Sequence, residues 1–465
     1  MYRANSGFGR ILSSAGDVLS KIFSVQKSEV LILTLSLLFI FLIFASYAIL
    51  RPLRDALGLE GGTEELKWLF LATFIVCIFV SSLSMWLSSV VKRKVYVNAI
   101  FIFFGLNLLI FYIALFFIES NSKSSAFVWL ARIFYVWVSV FNMFIISSAW
   151  SLLADIFDKE RSLRLFGIIT AGASLGSILG ASSVSLLAKI LAVQNFLLLS
   201  MLLLALSLVI KFFLLKEGFR ILDSKNLENL DSKNLSQKQQ DYIARFNTPL
   251  KSKNIFSGFK IIIKSRFLLA LTGFILLLTS ISTFLYMEQA RVIAELYPRG
   301  VEGAREARIA AFAKIDLVVQ ILSFVIQIFF TAKIAKFLGL KWLLALLGFA
   351  LSVGFVTLLI LHNSLGVALL PIAIVMSIRR VGEYALVKPG REMLFVPLDS
   401  ESKYKVKNFL DTVVYRGGDS LSSQVESGLM KISLSVTLLC GAALSLLFGL
   451  VGLYLSKKYD KNDFK

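Results

Sequence analysis

Long apolar runs dominate this chain of 465 residues and limit what it can fold into. Twelve segments are apolar over the roughly 20 residues that a helix needs to cross a bilayer. They are too long and too continuous for the strands of a membrane β-barrel, which alternate over about ten residues. The sequence therefore predicts an all-α, polytopic membrane protein with transmembrane helices near 29–50, 66–90, 95–118, 126–154, 165–188, 195–215, 267–290, 309–332, 342–361, 364–386, 408–430 and 433–455.

Composition excludes several other classes of protein. Apolar residues make up 57% of the chain and charged residues only 17%, whereas a soluble domain carries about 25% charged residues. Cys77 and Cys440 lie far apart, and His362 is the single histidine. These residues form no disulfide framework, zinc motif or nucleophile–base pair, and no glycine-rich GK[ST] loop is present. We therefore expect neither an enzyme nor a cofactor or metal site.

The positive charge follows the topology. The net charge is +20, which in a soluble protein would suggest nucleic acid as a partner. When the twelve helices alternate in direction, most of the 49 Lys and Arg residues fall on the side that holds both termini. Cytoplasmic loops carry such an excess. The distribution predicts cytoplasmic termini and explains the charge without nucleic acid.

A polar, Lys-rich stretch divides the chain into six helices plus six. It contains the sequence DSKNL at 223–227 and again at 231–235, which is typical of a solvated linker. Such a layout suggests two bundles around a site near the bilayer midplane. The predicted parts are an amphipathic cytoplasmic segment at 1–28, bundles at 29–216 and 267–456, a cytoplasmic linker at 217–266 and a tail at 457–465.

Charged residues inside the predicted helices are the candidates for function. Each costs roughly 2.5–3.5 kcal/mol at the bilayer centre, so it is kept where a cavity or a partner receives it. Helices 1, 4, 7 and 10, which would line the cavity, all carry arginine, and guanidinium groups bind phosphate and carboxylate through paired hydrogen bonds. We predict an anion-binding site formed by Arg51, Arg54, Arg132, Glu288, Arg379, Arg380, Glu383 and Arg416.

Simpler structural roles remain open for some of these residues. Arg380 and Glu383 lie one helical turn apart, as do Arg416 and Asp419, so each couple can form an ion pair without touching a substrate. In helix 5, glycines at 172, 176 and 180 predict close packing against another helix. Lys388 and Pro389 are expected to break helix 10.

Two motifs resemble the nucleotide transporter family typified by the ATP/ADP translocases of intracellular bacteria and plastids. They are YAILRPLRDALG at 47–58 and YALVKPGREMLFVPLDSESKYKVKNFLDTV at 384–413. The family's basic residue at the end of helix 1 falls on Arg54, and that of its Asp-Pro-x-Lys-Glu motif falls on Arg391. The resemblance therefore adds Arg391 to the predicted anion-binding site, near the cytoplasmic gate. Lys388 replaces the Asp of that motif, and two family glutamates fall near Val138 and Tyr286.

The resemblance implies a divergent bacterial member in the inner membrane, with a major-facilitator-like architecture. It implies a secondary transporter that exchanges a nucleotide or a related phosphorylated anion by alternating access. A proton-coupled transporter of another organic anion and a non-transporting membrane scaffold are the alternatives. The expected partners are a small anionic substrate and the lipid bilayer, with no nucleic acid, and a monomer is expected.

Overall fold

The computed structural model covers the apolar segments and most of the connections between them. The described residues are 26, 29–118, 124–157, 159–224, 247, 257–329, 331–395, 406–407 and 409–461. The predicted amphipathic segment at 1–28, apart from residue 26, and most of the Lys-rich linker lie outside these residues, so both stay predictions.

The first half of the chain forms six long helices from the predicted apolar segments. Leu, Ile and Phe fill them, and unbroken apolar sequence in a membrane satisfies its backbone polar groups only as helix or closed barrel. The helices are α1 (Val30–Leu57), α2 (Leu66–Val90), α3 (Arg93–Phe117), α4 (Ser125–Ile156), α5 (Lys159–Leu187) and α6 (Val193–Ser224).

The second half repeats this number of long helices after a short helix at Ser257–Ile263. Ser265 and Ser433 cap two of them by accepting hydrogen bonds from the backbone N–H groups of Leu268 and Val436. The helices are α7 (Arg266–Leu296), α8 (Ala304–Phe329), α9 (Thr331–Leu365, kinked at Gly339, where the backbone is non-helical), α10 (Leu369–Gly382, a π-helical turn at Glu383–Val387, then Lys388–Leu394), α11 (a π-helical turn at Leu410–Val414, then Tyr415–Met430) and α12 (Leu434–Asp460).

Helix α10 corrects one expectation. The prediction that Lys388 and Pro389 break this helix is wrong, because it continues to Leu394. A π-helical turn precedes the proline, and the backbone N–H of Lys388 bonds to the carbonyl of Glu383, five residues back. The proline therefore falls in the first turn of the following helical segment, where its missing N–H breaks no ladder.

Ten of the described helices are long and apolar enough to span a membrane, compared with the twelve that were predicted. The two that fall short are α10 and α11. Each is divided by a π-helical turn, and α11 is rich in Ser, Gly and charged residues. Both nevertheless run beside α7 in the second bundle. Polar character at this depth requires shelter inside protein, which α7 and α2 provide.

Glycine spacing in α5 produces the close packing that it predicts. Helix α5 lies against α1, and a Cβ atom at Gly172 would sit 2.7 Å from the carbonyl oxygen of Leu37. Gly176 and Gly180 meet the backbone of α1 in the same way, one and two turns further along. The three glycines thus allow backbone-to-backbone approach within the first bundle.

The two bundles meet along α5 with α8 and along α2 with α11, and α1 also packs on α8. We call the side on which α1 begins and α12 ends the termini side, and the other the far side. On the far side, the loop after α1 bonds to the start of α8. Nearer the middle of the bilayer, the facing surfaces of α1, α8 and α10 carry the charged groups described next.

Candidate functional site

A shared carboxylate joins the two bundles at the centre of the site. Asp316 of α8 is paired with Arg380 of α10 by a close contact between Oδ1 and Nη1. Its other oxygen, Oδ2, lies 3.5 Å from Nε of Arg51 in α1. Arg51 belongs to the first bundle, whereas Asp316 and Arg380 belong to the second. We call these three residues the Asp316 cluster.

The Asp316 cluster holds more positive than negative charge. Two guanidinium groups share one carboxylate, and Arg380 is only 3% exposed. Nε of Arg51 and Nη2 of Arg380 are buried without a hydrogen-bond partner. A buried donor without a partner costs about 1–3 kcal/mol, and more when it is charged. The cluster therefore presents unused donors and a net positive charge.

A second link between the bundles lies at the end of α1. Arg54 contacts Asp55 with its Nη2 at 2.6 Å and its Nε at 2.9 Å. Tyr286 of α7 donates to the same Asp55 oxygen at 3.0 Å. The guanidinium of Arg54 lies over the ring of Tyr135 in α4, 5.2 Å from its centre, and Tyr135 donates to the Tyr286 hydroxyl at 3.3 Å. Arg54 is thus held in place by the adjacent carboxylate and ring.

Arg379 and Arg380 are neighbours in sequence but point to different partners. Consecutive residues of an α-helix are turned by about 100°. Nη1 of Arg379 bonds to Glu383 at 3.0 Å and to the hydroxyl of Ser282 at 2.6 Å. The ion pair in α10 is therefore Arg379–Glu383, and the expected pairing of Arg380 with Glu383 is wrong. Nε of Arg379 is also buried without a hydrogen-bond partner.

Arg416 forms the pair that its spacing suggested, although a loose one. Its Nη1 lies 3.7 Å from Oδ2 of Asp419, one turn along α11. Thr283 of α7 donates to the other oxygen of Asp419 at 3.2 Å. Asp419 is buried. Its polar contacts are the hydrogen bond from the Thr283 hydroxyl and the Arg416 guanidinium, which is too far away for a hydrogen bond.

Two other predicted residues lie away from the centre, towards the two ends of the second bundle. Glu288 pairs with Arg291 at 2.7 Å, and Arg291 also contacts Glu426 near the far end of α11. At the opposite end, Arg391 pairs with Asp411 at 3.0 Å and joins α10 to the start of α11. The Glu288–Arg291 pair lies within α7, whereas Arg291–Glu426 and Arg391–Asp411 each connect two parts of the second bundle.

Arg132 does not join the other arginines. It makes a two-point ion pair with Glu65, with Nε 2.9 Å from Oε2, and it lies over the ring of Trp129. Together they line a groove on the outer face of the first bundle. The expectation that Arg132 faces the central cavity came from assigning a whole helix to the cavity. On α4, it is Tyr135 and Ser139 that contact Arg54.

Charged contacts also close the far side between the bundles. Glu60, in the loop after α1, accepts from Nε of Arg305 at 2.9 Å and from Nη2 of Arg308 at 2.7 Å. Arg299 donates to the backbone carbonyl of Glu60 at 2.9 Å. Glu60 is fully buried and Arg308 is 2% exposed. We call these four residues the far-side latch.

Sequence reasoning missed several of these residues. Asp316 was visible as a charge inside a predicted helix, but nothing in the sequence shows that it serves two arginines from different bundles. Glu60 and Arg308 both fell in predicted loops, where charge is ordinary. Arg305 and Arg308 lie within α8, which begins at Ala304 instead of 309. Their shared partner Glu60 makes charge tolerable there.

The unused donors give this arrangement the chemical means to accept an anion. Arginine side chains offer several donors each, so an incoming phosphate or carboxylate can take the unused donors of Arg51 and Arg380. Because Arg51 and Arg380 belong to different bundles, a ligand that contacts both would bridge the seam. Among the helices and loops that the structure describes, no group of three or more His, Cys, Asp or Glu residues is arranged to hold a metal.

The fold has many solved relatives. The inward-open xylose transporter XylE from E. coli has a TM-score of 0.55 and 12% identity, over 92% of this chain and 95% of that one. A peptide transporter POT in complex with sulfate has a TM-score of 0.60 and 14% identity, over 93% and 96%. A POT family transporter in complex with a thioalcohol-conjugated peptide has a TM-score of 0.58 and 12% identity, over 91% and 96%. At these identities the likeness concerns the fold.

No curated protein matches the chain. The family profile described as Major Facilitator Superfamily matches residues 32–383, from the start of α1 to the π-helical turn of α10. This range includes α1, α8 and most of α10, which carry the Asp316 cluster. The chain therefore belongs to the Major Facilitator Superfamily.

Proposed function

We propose that this protein is a secondary transporter that moves a small anionic solute by alternating access. The observation that carries the proposal is the Asp316 cluster, in which arginines of both bundles share one buried carboxylate. Two buried guanidinium N–H groups there have no hydrogen-bond partner. An anion supplies the missing acceptors and offsets the excess charge.

Competition with Asp316 would link binding to conformational change. Without substrate, Asp316 holds Arg51 and Arg380 and thereby ties α1 to α8 and α10. A bound anion takes over part of this role and weakens the tie between Arg51 and Asp316. The free-energy difference between the two arrangements can then depend on occupancy, as alternating access requires. An empty carrier would be held by its own ion pair, which favours exchange over one-way flux.

Within this class, we propose a nucleotide or a related phosphorylated anion as the substrate. The support is the resemblance at 47–58 and 384–413, which includes Arg51, Arg54 and Arg391. Near the centre, five arginines lie close to four carboxylates, so the surplus positive charge is small. The arginines are Arg51, Arg54, Arg379, Arg380 and Arg416, and the carboxylates are Asp55, Asp316, Glu383 and Asp419. A small surplus suits one phosphate or carboxylate group at a time, with the rest of the charge of a polyphosphate exposed to water or to metal ions in solution.

A proton-coupled transporter of another organic anion is the second candidate. Asp419 favours it, because this buried carboxylate is 3.7 Å from Arg416 and lacks a close ion pair. A carboxylate held in this way can take up a proton at lower cost than one in a close ion pair. The two candidates differ in their response to a pH gradient.

We further propose that the protein lies in a bacterial inner membrane with both termini in the cytoplasm. The support is the excess of Lys and Arg on the termini side. With this orientation, the far-side latch faces away from the cytoplasm.

Uptake into proteoliposomes tests the proposal. Vesicles preloaded with unlabelled nucleotide would be offered labelled ATP, ADP, NAD, phosphorylated sugars and dicarboxylates, with and without a pH gradient. We expect saturable uptake of at least one anion, reduced more than tenfold by Arg380→Gln. Arg220→Gln is the matched control, since this arginine is 70% exposed and pairs only with Glu217 in the contacts described.

Three results decide between the candidates. Uptake that requires internal nucleotide supports exchange, whereas uptake that requires an inward proton gradient and is lost in Asp419→Asn supports proton coupling. Absence of saturable uptake for every anion, from correctly inserted protein, overturns both.

A further inference from the structure

A lateral groove lies on the outer face of the first bundle, away from the Asp316 cluster. Helices α2 and α3 both pack on α4 but hardly touch each other, and the space between them has a volume of about 1010 Å³. Residues of α4 form its floor. Helices α2 and α3 are joined on the termini side by a connection of only two residues, 91–92, and α3 lines the groove from Tyr96 to Phe104, near this connection.

The groove has the length and the lining of a hydrocarbon site. On α2 it runs from Trp68 to Leu87, a rise of about 28 Å, which is close to the roughly 30 Å thickness of a bilayer core. Trp68 is 58% exposed and Phe103 of α3 is 57% exposed. The groove is therefore open sideways to the acyl chains of the membrane.

One end of the groove carries a charged pair at the depth of lipid headgroups. Arg132 and Glu65 line the groove close to the far-side ends of α4 and α2, and each side chain is 28% exposed. Trp129 lies beneath the guanidinium, 4.5 Å from ring centre to Cζ. The pair uses Nε and Nη2 of Arg132, which leaves Nη1 free to bind a further acceptor. Tryptophans at this level match the aromatic belt of membrane proteins.

A third polar group lies deeper in the same groove. Trp137 lines the floor, and its indole Nε1 is buried without a hydrogen-bond partner. Its ring is held by Phe104, Phe111 and Phe141, with ring centres 5.1–5.7 Å away. Trp137 follows Arg132 by five residues, a rise of about 7.5 Å along α4. A ligand that satisfies both needs an anionic head and an acceptor a few bonds deeper.

We propose that this groove is a binding site for a glycerophospholipid with an amine headgroup, taken from the far-side leaflet. The phosphate accepts from Nη1 of Arg132, and the primary ammonium group donates to Glu65. An ester carbonyl, a few bonds from the phosphate, accepts from Nε1 of Trp137. The acyl chains lie between α2 and α3 on the apolar floor. Phosphatidylethanolamine has these four features, whereas phosphatidylcholine lacks an N–H donor and inorganic phosphate lacks the chains.

Binding is measured by titrating the detergent-solubilised full chain with phosphatidylethanolamine that carries brominated acyl chains. Bromine quenches nearby tryptophans, and three of the six tryptophans line the groove: Trp68, Trp129 and Trp137. We expect saturable quenching that unbrominated phosphatidylethanolamine reverses and inorganic phosphate does not. Phosphatidylcholine should compete about tenfold less well, since it loses a charge-assisted hydrogen bond to Glu65.

Variants separate the headgroup site from the groove itself. Arg132→Gln should weaken binding about tenfold, and Glu65→Gln should remove the preference for phosphatidylethanolamine over phosphatidylcholine. Ala99→Phe, which fills the groove from α3, should abolish saturable quenching even where Arg132→Gln fails to fold. Ala350→Phe is its control, on an exposed position of α9 outside the groove, and Arg220→Gln is the control for the charge change.

Several outcomes would overturn the proposal. Equal quenching in wild type and Ala99→Phe would show that the lipid contacts the tryptophans from the general surface. Equal affinity for the two lipids would remove the headgroup assignment. Displacement of the brominated lipid by a transported anion would instead make the groove a route for the substrate. Native mass spectrometry of the same samples counts the lipids retained, with one more expected on wild type than on Ala99→Phe.

Discussion

Replacing Asp316 with asparagine removes the only carboxylate that Arg51 and Arg380 share in the described contacts. Breaking a buried ion pair by deleting one partner costs about 3–5 kcal/mol. A Coulomb estimate agrees, since two unit charges 4 Å apart interact by about 4 kcal/mol at an effective dielectric constant of 20. The asparagine carbonyl still accepts one hydrogen bond, which restores about 1 kcal/mol. We therefore expect Asp316→Asn to lower the free energy of unfolding by about 3 kcal/mol.

Denaturant titration in detergent micelles, followed by tryptophan fluorescence, measures this loss. Glu392→Gln is the matched control, because Glu392 pairs with Lys407 at 2.7 Å but the two side chains are 46% and 35% exposed. An exposed ion pair contributes about 1 kcal/mol or less. A loss in Asp316→Asn no larger than that of Glu392→Gln would contradict the assigned role of the Asp316 cluster.

The double variant Asp316→Asn/Arg380→Gln sharpens the test. It removes the carboxylate together with the arginine that contacts it most closely, so Arg380 no longer leaves an uncompensated charge and only Arg51 loses its partner. We expect it to be more stable than Asp316→Asn alone, with a coupling energy of about 1–3 kcal/mol. Additive losses from the two single changes would refute the reasoning, because they would show that Asp316 and Arg380 act independently.

Three further predictions follow from packing and from the other ion pairs. Gly176→Ala should lower the melting temperature, because the added Cβ would clash with the α1 backbone at a cost of about 1–3 kcal/mol. Gly273→Ala is the control and should leave the melting temperature unchanged, because no atom lies within 4 Å of its added Cβ. Equal melting temperatures of the two variants would contradict the close packing. Glu60→Gln should speed hydrogen–deuterium exchange in 299–308 by weakening the far-side latch, and unchanged exchange would show that the latch contributes nothing. Arg391→Gln should change the free energy of unfolding by less than about 1 kcal/mol, because its partner Asp411 is 40% exposed. A loss several times larger in the denaturant titration would show that this ion pair is a major source of stability.

Much of the fold was predictable because it depends on local sequence. A helix in a membrane needs only a sufficient apolar run, so the boundaries of α2 and α3 lie within about two residues of their predicted positions. Glycines four residues apart in α5 predicted close packing for the same reason, since the spacing alone places them on one face. Larger differences lie at other helix ends: α1 ends at Leu57 instead of 50, α6 ends at Ser224 instead of 215, and α8 begins at Ala304 instead of 309. In α8 and α10, charge and proline looked incompatible with helix. In α8, the charges of Arg305 and Arg308 are neutralised by Glu60. In α10, a π-helical turn accommodates the proline.

The candidate site was predictable only as a set of residues. Charge at membrane depth marks Arg51, Arg54 and Arg380, because burying charge is costly anywhere in the chain. Sequence spacing suggested that Arg380 pairs with Glu383, yet the structure pairs it with Asp316, 64 positions away. Arg132 carries the same charge but lies in the lipid-facing groove. The face of a helix that a residue occupies can be counted from sequence, but the neighbour opposite that face cannot.

By itself, the amino-acid sequence determined that the chain crosses a membrane as a polytopic helical protein and that arginines lie within its helices. Both conclusions rest on the free energy of transferring a residue or an apolar run from water to the bilayer. This free energy does not depend on which helices are its neighbours. Only the tertiary structure decided which arginines share a carboxylate, which bundle each one joins and which one faces lipid. Those contacts depend on how helices distant in sequence are oriented about one another, and ion pairs are effective only over a few ångströms.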